Sequence, residues 1–202
     1  NPKSGLYHYV KENEFEKSRI HLRLDNDGTG TLIVNASSVM HLNPSAAFMA
    51  WLILEGKTKE ERIQALTSRY SVSKKQADND LSSFLFQFEE LIRPDGVCAI
   101  HDLDLEMKMP FSARPSAPYR MDLAVTYRCN NDCAHCYNAR ERNFPELSTE
   151  QWFKIIDDLW ALGVPHIVFT GGEATLRNDL PELIKHAENN GQITGLNTNA
   201  RR

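Results

Sequence analysis

Three cysteines fall within eight residues, Cys129-Asn130-Asn131-Asp132-Cys133-Ala134-His135-Cys136, directly after the strand-like run Met121-Asp122-Leu123-Ala124-Val125-Thr126-Tyr127. At spacings of four and then three, the thiols can face one point in space. Thiolate is a soft ligand that suits zinc or iron–sulfur clusters. Three ligands leave a tetrahedral iron or zinc one position short, and a substrate or cofactor could bind there.

The remaining composition narrows the setting. Four cysteines in 202 residues, three of them in one loop, make a poor disulfide framework and point to a reducing, cytoplasmic location. A formal net charge of −4 provides no basic field to draw in nucleic acid. No apolar run approaches the ~18 residues of a membrane span, so no membrane association is expected. No signal peptide is visible, and since Asn1 is not a native start, residues upstream are expected.

Residues 1–95 read as an α+β domain. Residues 6–10, 19–24 and 29–34 have strand character, and Ile20-His21-Leu22-Arg23-Leu24 alternates as a half-buried strand does. Residues 39–42 are a further strand or the return of a hairpin. Three helices follow. Asn43 is an N-cap with Pro44 at the first helical position, on a nearly all-apolar helix ended by Gly56. Thr58 with Glu61, and Ser73 with Gln76, read as capping boxes for the next two. Strands followed by three helices suggest a small winged-helix domain. Its last helix offers Lys74 and Lys75 and then Asp78, Asp80, Glu89 and Glu90, which is not the basic stripe that phosphate binding needs.

Residues 96–118 read as a proline-rich linker. It contains Cys98, read as a small buried hydrophobe, and a further strand or helix over 100–107. Residues 119–202 then alternate strand and helix. Strands are expected at 122–126, 166–170 and 193–197. Ser148 with Gln151 caps one helix, which Gly163 ends; Asp179-Leu180-Pro181-Glu182 caps another, which Gly191 closes. A βαβαβ order argues for parallel strands in an α/β barrel, with ligands at the strands' C-terminal ends.

The cysteine pattern after a first strand resembles the signature of the radical S-adenosylmethionine (radical SAM) enzymes. Val168-Phe169-Thr170-Gly171-Gly172-Glu173, a strand running into a Gly-Gly-Glu turn, resembles that family's second motif. The resemblance implies a (β/α)6 partial TIM barrel and a 4Fe–4S cluster held by Cys129, Cys133 and Cys136. SAM would chelate the free iron, with Gly171, Gly172 and Glu173 contacting its amino group. Asn197-Thr198-Asn199 resembles the family's Thr-Asn-Gly segment, which implies that Thr198 and Asn199 face SAM or substrate. Two positions depart from the pattern. Ala174 stands where a proline is usual, and His135 where a larger aromatic usually precedes the last cysteine. With about two and a half βα units, the chain is expected to be the front part of a longer enzyme.

In the first domain, Leu32-Ile33-Val34, then Val39-Met40-His41-Leu42-Asn43-Pro44-Ser45-Ala46-Ala47, then Leu54-Glu55-Gly56-Lys57-Thr58 resembles the PqqD-like peptide-recognition domain, over most of residues 18–93. That resemblance implies a precursor's leader peptide added as a strand to an exposed sheet edge, residues 31–35 or 19–24, beside the last helix. Alternatively the domain only packs as a cap.

Together the resemblances imply a ribosomal-peptide maturase. An electron from a flavodoxin- or ferredoxin-type reductant would cleave SAM, and the resulting radical would remove a hydrogen atom from the peptide. The resemblance assigns no catalytic residue. Asn130 and Asn131 are candidate hydrogen-bond donors to the cluster, and Tyr137 either packs over it or belongs to a core. A radical SAM enzyme acting on a tetrapyrrole or another small cofactor precursor is the alternative. A zinc-binding module would need a fourth ligand near the loop; His135 lies between two of the cysteines, where it would strain the same site.

Overall fold

The computed structural model describes residues 2–12, 17–92, 115–138 and 144–201. The chain divides into two compact units, Asn1–Ser116 and Ala117–Arg202. The linker features expected over 93–114, including Cys98, lie outside the described residues.

The first unit is a four-stranded antiparallel meander followed by three helices: β1 (Gly5–Glu12), β2 (Lys17–Leu24), β3 (Gly30–Val34), β4 (Ser38–Leu42), α1 (Pro44–Leu54), α2 (Lys59–Arg69) and α3 (Lys74–Leu91). Residues 38–42 are the return of a hairpin. Its turn sets Asn35 at φ 51° and Ala36 at φ 56°, and the Ser37 N–H donates to Val34 O at 3.1 Å. Two central residues with φ > 0 match the right-handed twist of a hairpin, although alanine is a poor choice for that conformation.

Strand order corrects two expectations. Residues 19–24 and 31–35 fall on β2 and β3, which are interior strands; among the described residues the edges are β1 and β4. β2 is also not half-buried. Ile20, Leu22 and Leu24 face the core, and His21 and Arg23 on the opposite face are buried too, beside Thr31 and Ile33 of β3. His21 stacks on His8 of β1 with ring centroids 4.8 Å apart. The alternation in the sequence separates apolar from polar residues. It does not separate buried from exposed, because side chains on both faces of β2 and β3 are buried.

The caps follow the sequence closely. Asn43 Oδ1 accepts from Ala46 N–H at 2.9 Å, and Thr58 and Glu61 complete a reciprocal box. Ser73 forms only half of its box. Its hydroxyl accepts from Gln76 N–H, but the Gln76 side chain turns to Asp80 at 2.7 Å. The core joins Leu22, Leu32 and Val34 of the sheet to Phe48 and Leu52 of α1 and to Leu81, Phe84 and Phe88 of α3.

In the second unit, β5 (Arg120–Thr126), β6 (His166–Gly171) and β7 (Ile193–Leu196) pair in parallel in that order, joined by α4 (Thr149–Leu162) and α5 (Leu180–Asn190). Trp152 and Ile156 of α4 and Leu183 and Ala187 of α5 bury the sheet's apolar residues Leu123, Val125, Ile167 and Phe169. Gly163 and Gly191 close the helices at φ 98° and 100°. Asp179 does not cap α5 with its side chain as expected; its carboxylate is engaged by Arg177 and Thr149. No described helix is long and apolar enough to cross a membrane.

Core position decides the cost of truncation in the first unit. Leu81→Ala, at a fully buried position, should lower the unfolding free energy by about 2–5 kcal/mol in urea titrations. Phe86→Ala, on the same helix but 64% exposed, should change it by no more than about 0.5 kcal/mol.

Candidate functional site

The cysteine loop leaves the C-terminal end of β5 and is held at its base. Gly172 N–H donates to Thr126 O at 2.8 Å and Glu173 N–H to Arg128 O at 2.8 Å. Beyond the cysteines, the Asn138 side-chain amide donates to Gly171 O at 2.7 Å. The end of β6 therefore touches the chain on both sides of the loop. That proximity explains the two glycines. A Cβ on Gly171, which sits at φ 142°, would lie 2.1 Å from Thr126 O, and one on Gly172 would lie 2.3 Å from Arg128 O. No side chain fits in either place.

Glu173 is 1% exposed. Its Oε1 accepts from Thr175 N–H at 3.1 Å, Thr175 Oγ1 at 2.7 Å and Thr198 Oγ1 at 2.7 Å, and its Oε2 accepts from Asn199 N–H at 2.7 Å. Burial alone would raise its pKa. The Asn199 amide and the Thr175 and Thr198 donors outweigh that and hold the carboxyl below its ordinary 4.5. The side chain thus binds the loop after β7 to the turn after β6.

All three cysteines are free, Cys129 half-buried and Cys133 and Cys136 exposed. Cys136 N–H donates to Cys133 O at 3.1 Å, and Asn131 N–H points at Cys129 Sγ at 3.4 Å. Among the described residues no three Cys, His, Asp or Glu side chains gather around a metal-ion position. His135 is exposed, and Tyr137, 87% exposed, is not a core residue. Three free cysteines within eight residues are a donor set that suits a 4Fe–4S cluster. Each thiolate of a 4Fe–4S cluster binds a different iron, so the sulfurs need to surround a volume rather than a point.

A charged network below the loop has no motif that announces it. Glu146, just before α4, accepts from Thr126 Oγ1 and from Arg128 Nε at 2.9 Å, closing the segment that carries the cysteines. Arg177, 6% exposed, donates to Val125 O at 3.2 Å, to Leu147 O at 3.1 Å and to Asp179 Oδ2 at 2.6 Å. Its Nη1 lies 3.6 Å from Glu146 Oε2. The Arg128 bond holds the Glu146 carboxyl below its ordinary range, and the Arg177 bond does so for Asp179. Tyr127 and Phe144 meet edge to face, with centroids 5.3 Å apart, across the same base.

Residues 123–202 match the model of the radical SAM superfamily, and residues 27–91 match that of coenzyme PQQ synthesis protein D (PqqD). Two family models thus match successive stretches of the chain, the PqqD model first and the radical SAM model after it. It is 42% identical over 85 residues to PqqA peptide cyclase of Bradyrhizobium diazoefficiens, covering 41% of this chain and 22% of that protein. It is 48% identical over 77 residues to Fe-coproporphyrin III synthase of Methanosarcina barkeri, covering 37% and 19%. Sporulation killing factor maturation protein SkfB of Bacillus subtilis is 28% identical over 183 residues, covering 88% of this chain and 42% of that protein. Among solved structures, Streptococcus suis SuiB bound to precursor peptide SuiA superposes on 97% of this chain and 43% of its own, with a TM-score of 0.57 and 18% identity. The chain therefore spans less than half the length of each of these proteins.

Two outcomes follow from the geometry. Gly172→Ala should cost about 1–3 kcal/mol or more in unfolding free energy, since backbone oxygens rather than a flexible side chain must move. Glu173 has a folded pKa below its unfolded one, so its stabilising share is complete above about pH 4.5 and is lost as pH falls through the lower folded value. Melting temperature should hold from neutrality down to about pH 5 and then drop. Glu173→Gln should melt lower at neutral pH and show a shallower acid slope.

Proposed function

We propose that the whole protein is a cytoplasmic radical SAM enzyme that modifies a ribosomally made precursor peptide bound through its leader. The observation that carries this reading is the succession of a PqqD match and a radical SAM match on one chain. The relative that spans both parts, SkfB, is named a maturation protein, and SuiB, which shares the fold, was solved with its precursor peptide. In this reading residues 119–202 form the front part of a (β/α)6 partial barrel, following a winged-helix-like PqqD-type domain in 1–95.

Cys129, Cys133 and Cys136 would hold a 4Fe–4S cluster. Gly171, Gly172 and Glu173 would offer main-chain polar groups to the SAM amino group, with Thr198 and Asn199 bordering the same space. When bound, the cluster and SAM supply the reductive cleavage that starts radical chemistry, with a flavodoxin- or ferredoxin-type protein as electron donor. The chain's own contribution is placement. The paired glycines let two loops approach, and Glu173 fixes the third.

The leader would add to β4. It is an edge strand, and it lies inside the PqqD match, whereas the other edge, β1, lies outside it. An edge offers unpaired N–H and C=O groups to an incoming strand, and alternate side chains give selectivity.

A second reading keeps the radical chemistry and changes the substrate to a tetrapyrrole. The 48% identity to Fe-coproporphyrin III synthase favours it.

Anaerobic reconstitution of the whole protein should give about four irons, with an EPR signal that SAM alters after reduction. Cys129→Ala should lose that signal. Zinc in place of iron, with no response to SAM, would sink the radical reading. Hydrogen exchange with and without a short peptide encoded beside the gene should show protection across residues 38–42. Protection at β1 alone would refute the β4 edge, and binding of a porphyrin but no peptide would select the second reading.

A further inference from the structure

The loop after β7 does more than border the proposed SAM site. Asn199 Nδ2 donates to Asn130 Oδ1 at 2.9 Å and lies 4.0 Å from Cys129 Sγ. Asn130 Nδ2 donates to Arg201 O at 3.0 Å, and Arg201 Nη1 donates to Asn131 Oδ1 at 3.1 Å. Residues 198–201 thus grip residues 129–131 with several separate contacts. Among the described residues, none of these bonds reaches Cys133 or Cys136.

The grip is built on a rigid support. Glu173 takes the Asn199 N–H and the Thr198 hydroxyl at 2.7 Å each, from a fully buried position. Ala200 then adopts φ 54°, a left-handed conformation that costs a non-glycine residue roughly 1–2 kcal/mol. Two local bonds hold it there: Ala200 N–H to Thr198 Oγ1 and Arg201 N–H to Asn199 Oδ1, both at 3.0 Å. Strain of this kind persists where the surroundings over-determine a conformation. In this turn Asn199 Oδ1 is taken by the Arg201 N–H, and its Nδ2 faces Asn130 and Cys129.

We propose that Asn199 is a positioning residue for Cys129: anchored through its backbone by Glu173, its side-chain amide orients this one cysteine and gives it an N–H donor. Hydrogen bonds to a cluster's sulfur ligands help set its reduction potential, and donors favour the more negative, reduced state. The link to potential rests on the radical SAM reading; the orientation of Cys129 does not.

The test uses the whole protein, first free of cluster under anaerobic reducing conditions, with iodoacetamide rates read cysteine by cysteine by mass spectrometry. Cys129 should react slowest. Asn199→Ala should raise its rate several-fold and leave Cys133 and Cys136 unchanged. Asn130→Ala, which removes the amide's acceptor away from Glu173, should raise the same rate by less. An unchanged rate at Cys129, or an equal rise at all three cysteines, overturns the proposal. If Asn199→Ala does not fold, Asn130→Ala decides on the same terms. In reconstituted protein, Asn199→Ala should keep its iron content and give a more negative midpoint potential by EPR titration. An unchanged midpoint overturns the donor role. Failure to take up any cluster counts against the radical SAM reading and leaves the thiol result standing.

Discussion

The cysteine loop depends on the buried carboxylate of Glu173. An isolated charge in that position would be strongly disfavoured. Two donors from Thr175 in the same turn and two from the loop after β7 make it tolerable, and each gives up some freedom in doing so. The loop after β7 cannot leave without stranding a charge, and the turn after β6 cannot shift without losing the Arg128 carbonyl. Three strand ends that the parallel sheet only brings near one another are thereby fixed in register. This is the end of a parallel sheet at which ligands gather, because loops from successive strands meet there and leave a crevice.

A second buried charge works from below. Arg177 spends its donors on two carbonyls and the Asp179 carboxylate, and approaches Glu146. Removing one partner of such a set leaves the rest uncompensated, so the network is best understood as specifying one arrangement rather than as adding net stability. Its geometry shows what is specified. Glu146 lies beyond the cysteines in sequence and holds Thr126 and Arg128, which precede them. Described residues on either side of the cysteines are thereby held together, while Cys133 and Cys136 are exposed.

Local signals were legible in the sequence because each depends on a few adjacent residues. Asn43 with Pro44, Thr58 with Glu61, Ser148 with Gln151, and the glycines at 163 and 191 all act where their residue types indicate. The βαβαβ order was legible for the same reason. What escaped is non-local. The PqqD resemblance put the edge at β2 or β3, but edge status belongs to whichever strands lack a neighbour. Asp179 looked like a cap, and only the position of Arg177, two residues earlier on a different turn, shows why its carboxylate is occupied. The hairpin turn at Asn35 and Ala36 carries no glycine to mark it. Arg177 itself reads as an ordinary surface cation until the loops around it are placed.

Among the described residues β4 lies at the edge of its sheet as a short strand with fixed ends. It has five residues, about 17 Å at ~3.4 Å each, too little for strong pairing between two copies. A left-handed turn fixes where it starts, and Asn43 with Pro44 commits the chain to a helix directly after Leu42. Both ends are therefore set by backbone chemistry, and the strand can neither lengthen nor slip. Val39 and His41 alternate with Met40 and Leu42, and only the latter pair touches the core. A peptide strand paired there would meet a fixed register and few contacts. Its affinity would be modest, and its selectivity would come from alternate side chains.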